Sequence, residues 1–355
     1  MEQKPFIYLR GLKHAAFTVF CVADGQKSYY DPQFGSYAPY SSGQQVKRSI
    51  MDKIVETLNV EPSPVEFCFD VDRKGALKEG EVMSICNPEY VDQLIGGWMR
   101  TPKGGTEKAV KRRSPLSISA MTPLHPLLAS IPKEDVSFDR SDRPDVHKVV
   151  VRDASGTALT EGQISELLNG KDRSLYRKWI PDNKRATGLF VYDVAIDLRR
   201  LFTVSTNQLE PEISSDMAKE LESDGWKIVQ TVFGKALLMP EKRRNEIIPA
   251  IAEALIDWRI TSNQARTFSL METLAVAISD NANSLAAAIR AKMTDDSGDK
   301  PRVKPIVDEN AGAQTFVALP CTNYLVTESE NKDALDNAKR ELICRMKSFD
   351  YEKQI

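Results

Sequence analysis

The order in which strand-like and helix-like segments follow one another constrains this chain more than any single motif. GLFVYDVAIDL, Gly188 to Leu198, alternates well and is the clearest prediction of a central strand. Pro5 to Ala23, rich in β-branched and aromatic residues, predicts one long or bent strand, followed by a loop from Gly25 to Pro39. Ile50, Ile54, Val55 and Leu58 then recur at helical spacing, and Ser41-x-x-Gln44 fits a capping box, so a helix should open at Ser41 or Ser42. Val65 to Asp72 predicts a second strand. Asn87-Pro88 predicts a helix start, and EYVDQLI a short helix stopped by Gly96-Gly97. Further on, strands are expected at Val146–Ser155, Thr273–Ser279 and TFVALP. Helices are expected at Thr160–Asn169, Lys242–Trp258, Asn283–Met293 and Asp333–Phe349, with a linker-like stretch after Met293.

A parallel sheet would need regular strand–helix alternation, which this order lacks. An α+β fold with antiparallel pairing and two long excursions fits better. With the excursions set aside, the framework approximates β–α–β–β–α–β, the ferredoxin-like or RRM-like order. The reading is therefore one RRM-like domain over 1–355, with a first insertion at 73–145 and a second at 203–257.

Composition narrows function mainly by exclusion. The 355 residues carry 48 Lys and Arg against 50 Asp and Glu, a net charge of −2, so any contact with a polyanion must rest on local charge. Five scattered cysteines with no C-x-x-C pair indicate neither a zinc site nor a disulfide framework. Only His14, His125 and His147 are available for imidazole chemistry. No apolar run reaches membrane-spanning length and no secretory leader opens the chain, which predicts a cytoplasmic protein without membrane contact. Signatures for dinucleotide, P-loop, serine-hydrolase and zinc-protease sites are absent. No cofactor or metal is expected.

Three segments have the residue types that hold a nucleic acid. In SSGQQVKRSI, Gln44, Lys47 and Arg48 share a helix face close to the unpaired N–H groups of its start. Ser41, Ser42, Gln44, Gln45, Lys47 and Arg48 together read as a phosphate-binding corner, or as a capped helix with a solvated basic edge. Gly97 to Arg113 carries Arg100, Lys103, Lys108, Lys111, Arg112 and Arg113 against Glu107, with Trp98 and Met99 beside them. A polar, Gly-containing, basic stretch of this kind suits a nucleic-acid backbone, or is a solubilising surface loop. Thr261 to Ser269 offers Asn263, Gln264 and Arg266 as planar hydrogen-bonding groups, or forms a polar turn. Asp70-x-Asp72, and Asp24 with Asp31, are carboxylate pairs that read as surface residues before they read as metal ligands.

Taken together, four segments resemble the Cas-seven (DevR-like) family, the backbone subunits of Cascade-type CRISPR surveillance complexes. They are PYSSGQQVKRSIMDKI, LIGGWMRTPKGGTEKAVKRRSPLSISAMTPL, GLFVYDVAIDLRRLFTV and SNQARTFSLMETLAVAIS, in the family's order. The pattern departs from the family in the extra glycine of SSGQQVKR and in Ser262-Asn263, where paired glycines are common. The resemblance implies a hand-shaped subunit with an RRM-like palm, a finger insertion and a thumb insertion. It implies a non-catalytic, crRNA-binding backbone subunit of a type I complex. Copies would polymerise along the guide RNA beside other Cascade subunits and support target DNA recognition by base pairing. The alternative it leaves is a type III-like subunit that cleaves target RNA with a metal ion and a loop aspartate, Asp24 ahead of Asp31.

Overall fold

A computed structural model describes residues 4–21, 25–78, 80–101, 108–138, 150–170, 178–261, 268–295, 301–325, 327 and 329–354. In chain order, β1 (Phe6–Thr18) leads to a hairpin, β2 (Ser28–Asp31) and β3 (Ser36–Pro39), and then to helix α1 (Gly43–Leu58). A second hairpin, β4 (Val65–Cys68) and β5 (Glu81–Ser84), precedes α2 (Val91–Gly96) and a third hairpin, β6 (Trp98–Arg100) and β7 (Val110–Arg112). Short strands β8 (Leu116–Ile118), β9 (Thr122–Pro123) and β10 (Ala129–Ser130) follow. After β11 (Lys133–Phe138), α3 (Glu161–Leu168) and β12 (Lys178–Lys184) comes the long β13 (Ala186–Asp197), then α4 (Leu198–Leu201). Next are β14 (Thr203–Ser205), α5 (Ser215–Ser223), β15 (Lys227–Thr231), β16 (Gly234–Leu238) and α6 (Glu241–Asp257). The chain ends with β17 (Thr273–Ser279), α7 (Ala282–Ala288), β18 (Ile289–Asp295), β19 (Arg302–Val307), β20 (Gln314–Ala318), β21 (Glu330–Asn331) and α8 (Ala334–Ser348).

Two compact units result, one from residues 1–130 with 186–355, the other from 131–185. The smaller unit pairs β11 with β12 antiparallel and holds α3 behind a full capping box between Thr160 and Gln163.

The larger unit is an α+β fold built on one sheet. β1 lies between β13 and β17, antiparallel to both; β20 continues beyond β17, and β8, β9 and β10 line the outer side of β13. Alternation along the strands divides the core. Ile7, Leu9, Phe190, Tyr192, Val194, Val276 and Ile278 share one apolar cluster with residues of α1, α6 and α8. Leu12, Leu189, Val191, Ala275 and Ala277 belong to a second cluster that includes Leu285 and Ala288 of α7. Gly11 of β1 faces the Tyr192 ring so closely that a Cβ there would overlap it.

The excursions are bounded differently from the sequence reading. Residues 116–130, expected inside the first insertion, form the outer edge of the main sheet. The stretch 203–257 belongs to the larger unit's own core: Val204, Leu237 and Leu238 of a three-stranded sheet are buried with Ile251 and Leu255 of α6. Its apolar residues bury too much surface to stand apart from that core.

Local differences have local causes. The Gly25–Pro39 loop contains the β2–β3 hairpin, its turn held by Asp31 Oδ1 accepting from the N–H groups of Gln33 and Phe34, both at 3.0 Å. The Ala-rich helix ends at Ala288 rather than Met293. From Ile289 the sequence alternates Ile, Ala and Met with Arg, Lys and Thr, and the stretch forms strand β18, paired with β19 where a linker was expected. Of the expected strand Val146–Ser155, residues 146–149 lie outside the described residues. Asp153 and Ser155 stand in a turn, where Asp153 Oδ1 accepts from the N–H groups of Ser155 and Thr157 at 2.9 Å. Asn87 likewise caps a turn rather than α2, whose N-cap is Tyr90.

Candidate nucleic-acid interface

The start of α1 is fixed by its serines, each in a different way. Ser42 is the N-cap, with Oγ accepting from the N–H of Gln45 at 3.3 Å. Ser41 is fully buried: its backbone exchanges both hydrogen bonds with Met121 (2.9 and 3.0 Å), and its hydroxyl donates to the Phe20 carbonyl. Ser41, expected at a phosphate, thus anchors the helix to the sheet. Gly43 explains itself here. A Cβ at this position would lie 3.0 Å from the Ile118 carbonyl oxygen, so glycine allows the helix to start hard against the sheet edge.

The helix face then divides. Gln44 and Arg48 are exposed, and Gln45 and Lys47 half-buried. Lys47 Nζ donates to the Gly96 carbonyl at 2.7 Å, at the C-terminal end of α2, where a cation meets the negative end of the helix. Burial lowers its pKa, and the nearby Arg112 guanidinium lowers it further. Lys47 therefore joins two helices rather than facing outward. Among the described residues, Arg48 pairs with Asp52 at 2.9 Å, both side chains exposed. It borders a groove of about 870 Å³ between α1 and the end of α6, whose lining sets the cations Lys53 and Arg259 against the carboxylates of Asp52, Glu56 and Asp257.

The basic segment after α2 folds as the β6–β7 hairpin, with Trp98 opposite Arg112, Met99 opposite Lys111 and Arg100 opposite Val110. Gly97 enters it with φ of 76°, and a Cβ there would lie 2.6 Å from the Arg112 carbonyl oxygen. The two faces differ. Arg112 is buried, donating to the carbonyls of Leu94, Arg200 (2.6 Å) and Thr203 (3.1 Å), 5.3 Å from the Trp98 ring and 3.9 Å from Glu212. Burial brings its pKa down to about 10 despite Glu212. Trp98, expected as a stacking group, is buried too and donates through Nε1 to the Glu212 carbonyl at 2.7 Å. Arg112 and Trp98 are thus an internal fastening. A guanidinium has enough donors to satisfy three carbonyls at once, which a lysine cannot match in geometry. Arg100, Lys108, Lys111 and Arg113 remain exposed, as does Met99, with Lys108 Nζ donating to the Gln208 carbonyl at 2.9 Å.

The fold therefore joins two of the sequence segments through α2. Lys47 reaches its last carbonyl from α1, and Arg112 and Ser114 reach the carbonyls of Leu94 and Ile95 from the hairpin side. Asn263, Gln264 and Arg266 lie outside the described residues, as does Asp24. Asp31 caps its own hairpin turn, and Asp72 caps another, accepting from the N–H groups of Lys74 and Ala76. Among the described residues, no group of three His, Cys, Asp or Glu side chains is placed to hold a metal ion.

Sequence reasoning missed Lys13. It occupies an inward position of β1, fully buried, donating to the carbonyls of Ile256 and Met271 and to Thr273 Oγ1. The Trp258 and Tyr192 rings lie 5.0 and 5.9 Å from its Nζ. Burial brings its pKa down to about 7. The available signal was a charge in phase with Ile7, Leu9 and Gly11. Also missed were Arg259, exposed just beyond α6, and the bidentate pair of Arg10 with Asp193 (2.7 and 2.9 Å) across β1 and β13.

No protein-family model matches this chain, and no curated protein does. Among solved structures, the chain is similar to one described as a CRISPR RNA-guided surveillance complex, at TM-score 0.39 and 10% identity, over 95% of this chain and 81% of that one. It is also similar to one described as a CRISPR RNA-guided surveillance complex, pre-nicking, at TM-score 0.42 and 9% identity, over 96% of this chain and 88% of that one. Likenesses of this size carry no argument about what the chain does.

Proposed function

We propose that this chain is a non-catalytic, guide-RNA-binding backbone subunit of a type I CRISPR surveillance complex. One observation carries the reading: the main sheet follows β1–α1–β8/β9–β13–α6–β17, with β13 and β17 flanking β1 and the β8–β9 edge outside β13. This supports a β–α–β–β–α–β, RRM-like palm. Both cation-bearing segments that resemble the Cas-seven family are attached to that palm, adjoining through α2. The partners in this reading are crRNA, further copies of the chain, other subunits and the target DNA that pairs with the guide.

The exposed cations Arg48, Arg100, Lys111 and Arg113 suit phosphates held by charge without base readout. Near-zero net charge is compatible with this, because the RNA meets a local group of cations rather than the whole protein. The test is retention of single-stranded RNA at increasing salt. Wild type should show a steep negative slope, and replacing all four cations with alanine should flatten it by up to about 3, roughly 0.7 for each phosphate no longer neutralised. An unchanged slope refutes the assignment. Incubation with complementary RNA and magnesium or manganese should yield no cleavage.

A further inference from the structure

β1 is interrupted where it leaves the sheet. Ala15 pairs with Gly188 and Thr18 with Ala186, so Ala16 and Phe17 together oppose Thr187, a β-bulge of two residues against one. Phe17 stands there with φ of 46°, in the left-handed region. Bulges of this form ordinarily place glycine at the left-handed position, because a Cβ there is strained. A bulky aromatic residue is an outlier there, and its ring is mostly uncovered: Phe17 is 58% exposed. The backbone is held in a strained conformation that turns an apolar ring towards solvent.

The surroundings say what the ring meets. Ala16 donates its N–H to Ser269 Oγ at 3.1 Å, which brings the lead-in of β17 alongside the bulge. On that lead-in Phe268 and Leu270 are 71% and 59% exposed. Two residues on, Met271 Sδ accepts from the N–H of Ile260, so the lead-in also runs beside Arg259 and Thr261 at the rim of the α1–α6 groove. Three residues beyond Phe17, the Phe20 carbonyl accepts from Ser41, next to the N-cap of α1. Phe268 thus lies on a segment that runs alongside the bulge at Ser269 and beside the exposed Arg259 at Met271. Aromatic faces beside cations are the combination that holds single-stranded nucleic acid without reading its sequence. An apolar protein-docking patch would carry no charge at its centre, whereas here the exposed Arg259 stands on the segment that Met271 holds beside the lead-in.

We infer that Phe17, with Phe268 beside it, is a base-stacking platform for single-stranded RNA. The inference rests on the RNA-binding reading above and adds stacking to its phosphate contacts. Phe17→Gly should leave the melting temperature close to wild type, because relief of the left-handed strain offsets the loss of the partly covered ring. The same variant should weaken binding of a fluorescein-labelled, mixed-sequence single-stranded RNA about tenfold, read by anisotropy, with an unchanged salt slope, since stacking releases no counterions. Phe17→Trp should keep wild-type affinity. Wild-type affinity in Phe17→Gly overturns the inference while leaving the RNA reading in place. So does a lowered melting temperature with unchanged affinity, which would make the ring a packing element. A change in self-association without a change in RNA affinity overturns it too, by making the corner a protein contact. If the wild type binds no RNA, the functional reading falls and this inference with it.

Discussion

Lys13 makes the stability of this protein depend on pH in a way that one substitution isolates. Its ammonium is fully buried, and burial brings its pKa from 10.5 to about 7. Asp257 and Glu272 favour the charged form and Arg259 opposes it. The rings of Trp258 and Tyr192 also favour the charge, so they resist a further fall. Between about pH 7 and 10.5 the unfolded chain holds a proton at this lysine that the folded chain has released. Stability must therefore rise with pH across that window. The penalty for burying the charge is fully present below about pH 7 and gone above 10.5. The shift corresponds to roughly 5 kcal/mol over the whole window, about 1.4 kcal/mol per pH unit. Urea denaturation of wild type and Lys13→Met at successive pH values from 7 to 10 measures it. Groups that titrate elsewhere cancel in the difference between the two proteins. Methionine leaves the Ile256 and Met271 carbonyls without this donor, which displaces its curve by a constant offset of a few kcal/mol but not its slope. Wild type should gain about 4 kcal/mol on the variant between pH 7 and pH 10. Parallel pH profiles would refute the argument that Lys13 is buried with a lowered pKa.

Arg112 and Arg113 are adjacent in sequence and should behave oppositely. Arg112→Met, which leaves the Glu212 carboxylate and three carbonyls without their guanidinium, should lower stability by about 3–5 kcal/mol in urea melts, whereas exposed Arg113→Ala should stay within about 0.5 kcal/mol. Lys47→Ala should cost about 1.5–3 kcal/mol, because it removes a charge-assisted bond to the Gly96 carbonyl, while Arg48→Ala should cost no more than about 0.5 kcal/mol and instead reduce the salt slope of RNA retention. Gly97→Ala should destabilise by about 2 kcal/mol or more in the same melts, since the new methyl group meets backbone at a left-handed position. Asp31→Ala should alter turn stability only and leave RNA retention at its wild-type level; a loss of retention would bring that carboxylate into the site.

Period and punctuation made the framework legible in the sequence. Thr273–Ser279 reads as a strand because an apolar, β-branched run admits little else, and it is one to the residue. The spacing of Ile50 and Ile54 and the serine pair ahead of them place α1 and its cap to within a residue. Those signals are local, since they come from the backbone's own geometry. What a charged residue faces is not local. Lys47 and Arg48 stand next to each other in the sequence, as do Arg112 and Arg113, and nothing in their spacing separates the inward member from the outward one. That depends on whether a carbonyl from another element arrives within hydrogen-bond reach, as those of Gly96 and Thr203 do. Phe17 shows the same division. Its strand is evident from composition, but its left-handed backbone and exposed ring follow from two residues having to oppose Thr187 alone, a constraint set by the partner strand. The sequence by itself determined framework elements such as β17 and α1 and the local charge they carry, but not the β2–β3 and β18–β19 hairpins. Tertiary structure decided which charges are spent inside as fasteners and which reach the surface, because burial and hydrogen-bond partners come from residues far away along the chain.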